Sequence, residues 1–204
     1  MKNKLNPGGS LRGFSGAFTD PRTGNQISYS TLRDRNAAAV LATRTDVVAG
    51  PFNEVFTWVD AGGVERRREL LSVTTVAGRN IVYEPIHDSD VTSPQRVCDR
   101  AAITRRLAER STASLETFTD SIVRRGEAIA NADELLAAGR IKPTAAEIWT
   151  ARIVVRDAGG AMTIGALNQE GFSRRLIMSL VHHRHLAAER GRRFATDTII
   201  SLTH

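Results

Sequence analysis

Between residues 54 and 60 the chain reads EVFTWVD, and its large side chains recur at every second position. Phe56 and Trp58 face one way while Val55, Thr57 and Val59 face the other, which is the period of a pleated strand and not of a helix. Ala61-Gly62-Gly63 then supplies turn residues that tolerate positive φ, and residues 64–76 and 81–86 read as two more strands separated by AGRN. A three-stranded antiparallel meander over 54–86 is expected. Arg66, Arg67 and Arg68 fall inside its second strand, so at least one points away from the core on each face; such charges guard an edge strand against mispairing.

After the polar loop HDSDVTSP the period changes to that of helices. Ser93 is an N-cap with Pro94 at the first helical position, which predicts a helix over 94–110. Leu115, Phe118, Ile122 and Ile129 lie on one narrow helical stripe and predict a second helix over 114–130. DELLAAG reads as a short helix stopped by a left-handed Gly139, and Thr144 with Glu147 has the spacing of a capping box that opens another. Ile153-Val154-Val155 favours a strand, which leaves 148–160 open between helix and strand. The turn Asp157-Ala158-Gly159-Gly160 repeats the chemistry of Asp60 to Gly63. A last helix is expected over 169–190, ended by Gly191, and TIISLT as a strand added to the sheet edge. These elements together define an α+β fold.

Residues 1–30 are rich in Gly, Ser, Asn, Pro and Thr, and carry Lys2, Lys4 and Arg12 with no acid before Asp20. They hold too little apolar material to offset the entropy of ordering, so an extended basic arm is expected, with Phe14 and Phe18 as its pins and residues 31–204 as a single domain. The charge is uneven: residues 1–35 carry +4, residues 140–204 carry +5 and the middle −3, giving +6 in all. The ends are therefore the electropositive parts. Arginine supplies 25 of the 28 basic residues, a bias that suits phosphate and carboxylate recognition and that a GC-rich genome would also produce.

The longest apolar run, Ala37 to Ala42, is far short of the ~20 residues that cross a bilayer, so no membrane partner is expected. MKNKLNPGGS lacks the apolar core of a secretory signal. Cys98 is the sole cysteine, which excludes a disulfide within the chain and fits a reducing compartment: the cytoplasm, or a virion if the protein is viral.

The stretch LVHHRHLAAERGRR, residues 180–193, concentrates histidine and arginine. Projected as part of the last helix, Phe172, Leu176, Ile177, Leu180 and Val181 form an apolar face with Arg184 in its middle, and His183 lies at the edge. His182, His185, Glu189, Arg174 and Arg175 share the opposite side. His182 with His185, or His185 with Glu189, has ligand spacing, but two or three donors beside arginines do not make a metal site, and no cofactor is expected. An arginine in an apolar stripe must be paired or must meet a partner.

Glu84, His87, Asp88 and Asp90 form a dense polar group whose plainest role is loop capping and whose sharper role would be acid–base chemistry. The sequence contains no G-x-S-x-G elbow, phosphate-binding glycine loop, H-E-x-x-H or EF-hand loop. Cys98, between Arg96 and Arg100, reads as a small buried hydrophobe.

These features point first to a non-enzymatic, self-associating structural protein, such as a capsid, tail or connector component of a virion or phage particle. Lys2, Lys4, Arg12, Arg174, Arg175, Arg184, Arg192 and Arg193 are then the contacts to nucleic acid or to a neighbouring copy in a homo-oligomer or larger assembly. A DNA- or RNA-binding regulator using the arginine-rich helix 94–110 is the alternative, and an enzyme with a site near His87, Asp88 and Asp90 is the third.

Overall fold

The computed structural model describes residues 15–60 and 62–203. The α+β class is borne out, with antiparallel sheets and packed helices. Strands β3 (Val47–Val59), β4 (Glu65–Thr75) and β5 (Asn80–Ile86) form the expected meander, begun seven residues earlier than the alternation marks. Helix α2 (Pro94–Arg110) follows, N-capped by Ser93, whose hydroxyl accepts from the Arg96 amide. Strand β6 (Ser114–Thr119) then returns parallel to β5 and completes the order β3-β4-β5-β6.

The helix expected over 114–130 is thus corrected to a strand, the short helix α3 (Asp120–Val123) and the opening of α4 (Ala128–Gly139). Six residues cannot distinguish the two periods when Leu115 and Phe118 are both apolar. In the sheet they take opposite faces, Leu115 against the α2 side and Phe118 into the other core.

The sheet is covered on both faces, and adjacent residues divide between them. Leu70 joins Phe56, Trp58 and Val82 beneath Ile103 and Leu107 of α2, while Leu71 joins Val73, Ile81 and Tyr83 against α1 (Leu32–Thr43) and Ala132 of α4. Thr31 caps α1, and its consecutive buried alanines, Ala37 to Ala39, let it lie close to the strands. At ~25 cal/mol per Å² this apolar burial is the main favourable term.

The remaining helices form a second layer of core with a small sheet. Helix α5 (Ala145–Asp157) opens with the expected capping box and runs straight through Ile153-Val154-Val155, so the open segment is helical, with Val155 fully buried. A well-capped start and one buried face outweigh the modest helix cost of β-branched residues. Strand β7 (Ala161–Thr163), helix α6 (Ile164–Gln169), helix α7 (Arg174–His182), strand β8 (Leu186–Ala188) and strand β9 (Ile199–Leu202) follow. TIISLT supplies β9, which lies in the middle of a sheet of its own, order β7-β9-β8, rather than at the edge of the larger one.

The expected helix over 169–190 is shorter at both ends. Gly171, at φ 90°, separates α6 from α7, and the chain leaves α7 through Arg184 at φ 65°. Ser173, not a residue near 169, is the N-cap.

Of the arm expected over 1–30, residues 1–14, with Lys2, Lys4, Arg12 and Phe14, lie outside the described residues. Strands β1 (Gly16–Thr19) and β2 (Gln26–Tyr29) form a hairpin that buries Ile27 and Asp20 completely. The Asp20 carboxylate accepts from the Arg22 amide at 2.9 Å and the Thr23 hydroxyl at 3.1 Å, which fixes the turn.

Candidate functional site

Strands β5 and β6 end side by side and in the same direction, and the residues that follow them are His87 and Asp120. Ligands of α/β sheets commonly bind at such carboxyl ends. His87 Nδ1 lies 2.5 Å from Asp120 Oδ2, and Arg33, from the first turn of α1, reaches both: its Nη2 meets His87 Nε2 and its Nε lies 3.6 Å from Asp120 Oδ1. A guanidinium has only donors, so His87 Nε2 accepts and Nδ1–H donates to the carboxylate. Asp88 accepts from the Ser121 hydroxyl at 2.7 Å and amide at 3.1 Å, and the hydroxyl bond foremost holds its carboxyl below the ordinary range. A cleft of about 300 Å³, bordered also by Arg124 and Ile129, opens at this cluster.

The polar group read from the sequence therefore divides. His87 and Asp88 gain distant partners in Arg33, Asp120 and Ser121, none of which the local spacing reveals. The Asp90 carboxylate accepts from the Ser89 hydroxyl at 3.4 Å and reaches none of these partners. Glu84 turns the other way: fully buried, it meets Arg68 of β4 and lies 3.5 Å from Arg100 Nε of α2, and burial raises its pKa against the pull of Arg68. Within the cluster at the strand ends each group is already turned toward another, so it binds α1, the β5–α2 loop and the β6–α3 junction together.

The histidines expected on a solvent-facing side are placed differently, because α7 ends at His182 and its projection cannot be carried further. His182 is buried, 3.6 Å from Asp20 Oδ1, and His183 Nε2 bonds the Gly139 carbonyl at 2.9 Å. Gly139 is the last residue of α4 rather than a left-handed stop, and its missing side chain leaves room for the His182 ring. Among the described residues no group of three or more His, Cys, Asp or Glu side chains is arranged to hold a metal ion. Cys98 is exposed, not the small buried residue expected.

The basic residues of the carboxyl-terminal part also separate. Arg174 forms a two-pronged pair with Glu134, at 2.6 and 3.0 Å, and donates to the Phe194 carbonyl. Arg192 pairs with Asp197 at 2.7 Å, while Arg175 and Arg193 are exposed. The Arg184 guanidinium donates one hydrogen bond among the described residues, 3.2 Å to the Arg44 carbonyl, and takes no part in an ion pair among them. On α2, Arg100 turns to Glu84, Arg96 to Asp99 at 4.0 Å and Arg106 to Glu109 at 3.1 Å.

The far half of the β3–β4 pair is less covered. β5 bonds to β4 only over residues 71–74, whereas β3 and β4 continue paired to Val59 and Glu65. On the overhang, Phe56 and Trp58 are covered by α2, but the opposite face places Val55 across from Glu69, Thr57 across from Arg67 and Val59 across from Glu65, all exposed. Two strand edges and one sheet face thus meet solvent together. No helix among the described residues is long and apolar enough to cross a membrane. No family model and no curated protein matches this chain.

Proposed function

We propose that the chain is a self-associating structural subunit, of the kind that builds a virion or phage particle, and that copies meet through the β3–β4 overhang. The observation that carries this reading is the pairing of an uncovered face with two open strand edges on one projecting ribbon. Open edges are templates for further strands, and proteins ordinarily cover or shorten them. A second copy is the occupant that fits, because the same face offers Val55 and Val59 for burial and both signs of charge, Glu65 and Arg67, while Glu69 is held by the Ser28 hydroxyl at 3.0 Å. Lys2, Lys4, Arg12, Arg175 and Arg193 are then the basic residues available to packaged nucleic acid, where each phosphate contact gains from counterion release.

Size-exclusion chromatography with light scattering over a concentration series, followed by negative-stain microscopy, tests this. Multimers or particles are expected, and the double substitution Val55→Lys with Val59→Lys is expected to return monomers. A strict monomer at high concentration overturns the reading.

A second reading, an enzyme working at His87, is favoured by the position of the His87–Asp120 pair at the carboxyl ends of parallel strands. There His87 would move a proton and Arg33 would hold an anionic group of the substrate. Under this reading His87→Gln removes turnover of an anionic substrate; under the first it leaves assembly unchanged.

A further inference from the structure

We propose that the cleft beside Arg184 is a binding site for a small molecule that carries one carboxylate on an apolar body. The cleft measures about 610 Å³, the size that encloses such a ligand. Its walls come from two parts of the chain: Thr45 and Val76, near the ends of the meander strands, and Leu186, Ser201, Leu202 and Thr203 in and beside the small sheet, with Arg184 lining it as well.

Three observations single out Arg184 as the polar anchor of that cleft. The acids nearest in charge are already engaged: Asp46 holds Arg44 through two contacts of 2.5 and 2.8 Å, and Asp20 is bonded to its own turn and faces His182. The guanidinium is left with a carbonyl, and burial pushes its pKa down to about 10, with Arg22 adding to the effect. A half-buried cation with no carboxylate of its own offers its remaining N–H groups to an anion.

The backbone gives the third observation. Arg184 occupies the left-handed position just after a helix, φ 65°, where glycine is the usual residue. Its conformation is locked from several sides, by its amide bonding the Val181 carbonyl at 3.1 Å and by the Thr203 hydroxyl bonding its own carbonyl at 3.2 Å. The chain therefore holds a large cationic residue at a place that favours none, and that residue lines the cleft. One guanidinium, with Thr45 and Ser201 beside Val76, Leu186 and Leu202, suits a carboxylate with a hydrocarbon chain: the charge meets Arg184 and the chain meets the aliphatic side chains.

The inference stands whether or not copies of the chain associate. The test uses sodium octanoate, octanol and inorganic phosphate as probes, with titration calorimetry on the full chain. Saturable binding of one octanoate per chain is expected, with octanol and phosphate far weaker. Arg184→Gly suits the backbone, so this variant is expected to unfold at a higher temperature while binding octanoate about tenfold more weakly or worse. Arg184→Asn, which also tolerates the left-handed region, is expected to lose binding in the same way. Absence of octanoate binding to the natural chain, unchanged binding by Arg184→Gly, or octanol or phosphate binding as tightly as octanoate each overturns the proposal.

Discussion

Gly139 and His182 occupy the same space: a methyl group built on Gly139 would stand 2.7 Å from both Cγ and Nε2 of the His182 ring. This contact sets how closely α4 and α7 approach, and it places the histidine next to buried Asp20 of the amino-terminal hairpin. Gly139→Ala is therefore expected to destabilise the protein by about 1–3 kcal/mol through overpacking, despite alanine's better helix propensity. Urea unfolding measures it. Adding His182→Ala should make Gly139→Ala nearly neutral in that background, and additive losses would show that the two positions do not share a contact.

That relationship explains which parts of the fold could be read from the chain alone. Elements defined by local chemistry were legible: the alternation at Phe56 and Trp58, the Ser93 cap and the Thr144–Glu147 box are each decided by a few neighbouring residues. Elements decided by distant packing were not. SLETFT becomes a strand because β5 lies ready beside it, and α7 stops at His182 because Arg184 turns left-handed and the chain is needed for β8. The polar site divides on the same line: His87 and Asp88 stand out as a local group, while Arg33, Asp120 and Ser121 are brought to them from 54 and 33 residues away. For the final helix, the expected solvent side failed because a 100° projection has meaning only while the helix continues.

The buried carboxylate of Glu84 gives a larger effect. It is fully enclosed between Arg68 and Arg100, so removing Arg68 leaves a buried carboxylate with Arg100, at 3.5 Å, as its remaining ion-pair partner. Arg68→Met is expected to cost about 3–5 kcal/mol. The carboxylate is the cause, so Glu84→Gln added to Arg68→Met should recover much of the loss in chemical denaturation. A loss as large in the double variant would place the cost in packing instead.

Acid sensitivity should appear first at the histidines. Burial lowers the pKa of His183 and of His185 below the ordinary 6.5, so the unfolded chain takes up protons that the folded chain refuses. Their contribution to stability is complete above pH 6.5 and is lost as the pH falls from there through the folded values. Glu84 acts in the opposite sense: its raised pKa contributes stability below 4.5 that is lost as pH rises through its folded value. Denaturant midpoints on either side of pH 6.5 should therefore fall on acidification. The fall should be smaller in the His183→Asn, His185→Asn double variant. Equal falls in both proteins would exclude the histidines as its source.

The start of α5 offers the most local test. Thr144 Oγ1 accepts from the Glu147 amide at 3.2 Å, while Glu147 Oε2 takes both the Thr144 amide at 2.7 Å and its hydroxyl at 2.8 Å. The same carboxylate is held below the ordinary range, the Thr144 amide being the first cause. Thr144→Ala is expected to cost about 1 kcal/mol, the usual loss of a helix cap. Because Glu147 bonds both the amide and the hydroxyl of Thr144, Glu147→Ala should cost less in the Thr144→Ala background than in the natural chain. The effect should exceed that of an ordinary surface change, since α5 carries Ile153, Val154 and Val155, which favour extended backbone. Hydrogen exchange of the α5 amides reads this directly: protection should drop along the helix in Thr144→Ala, and a drop confined to the first turn would mean that the buried face, with Ala151 and Val155, holds the helix without its cap.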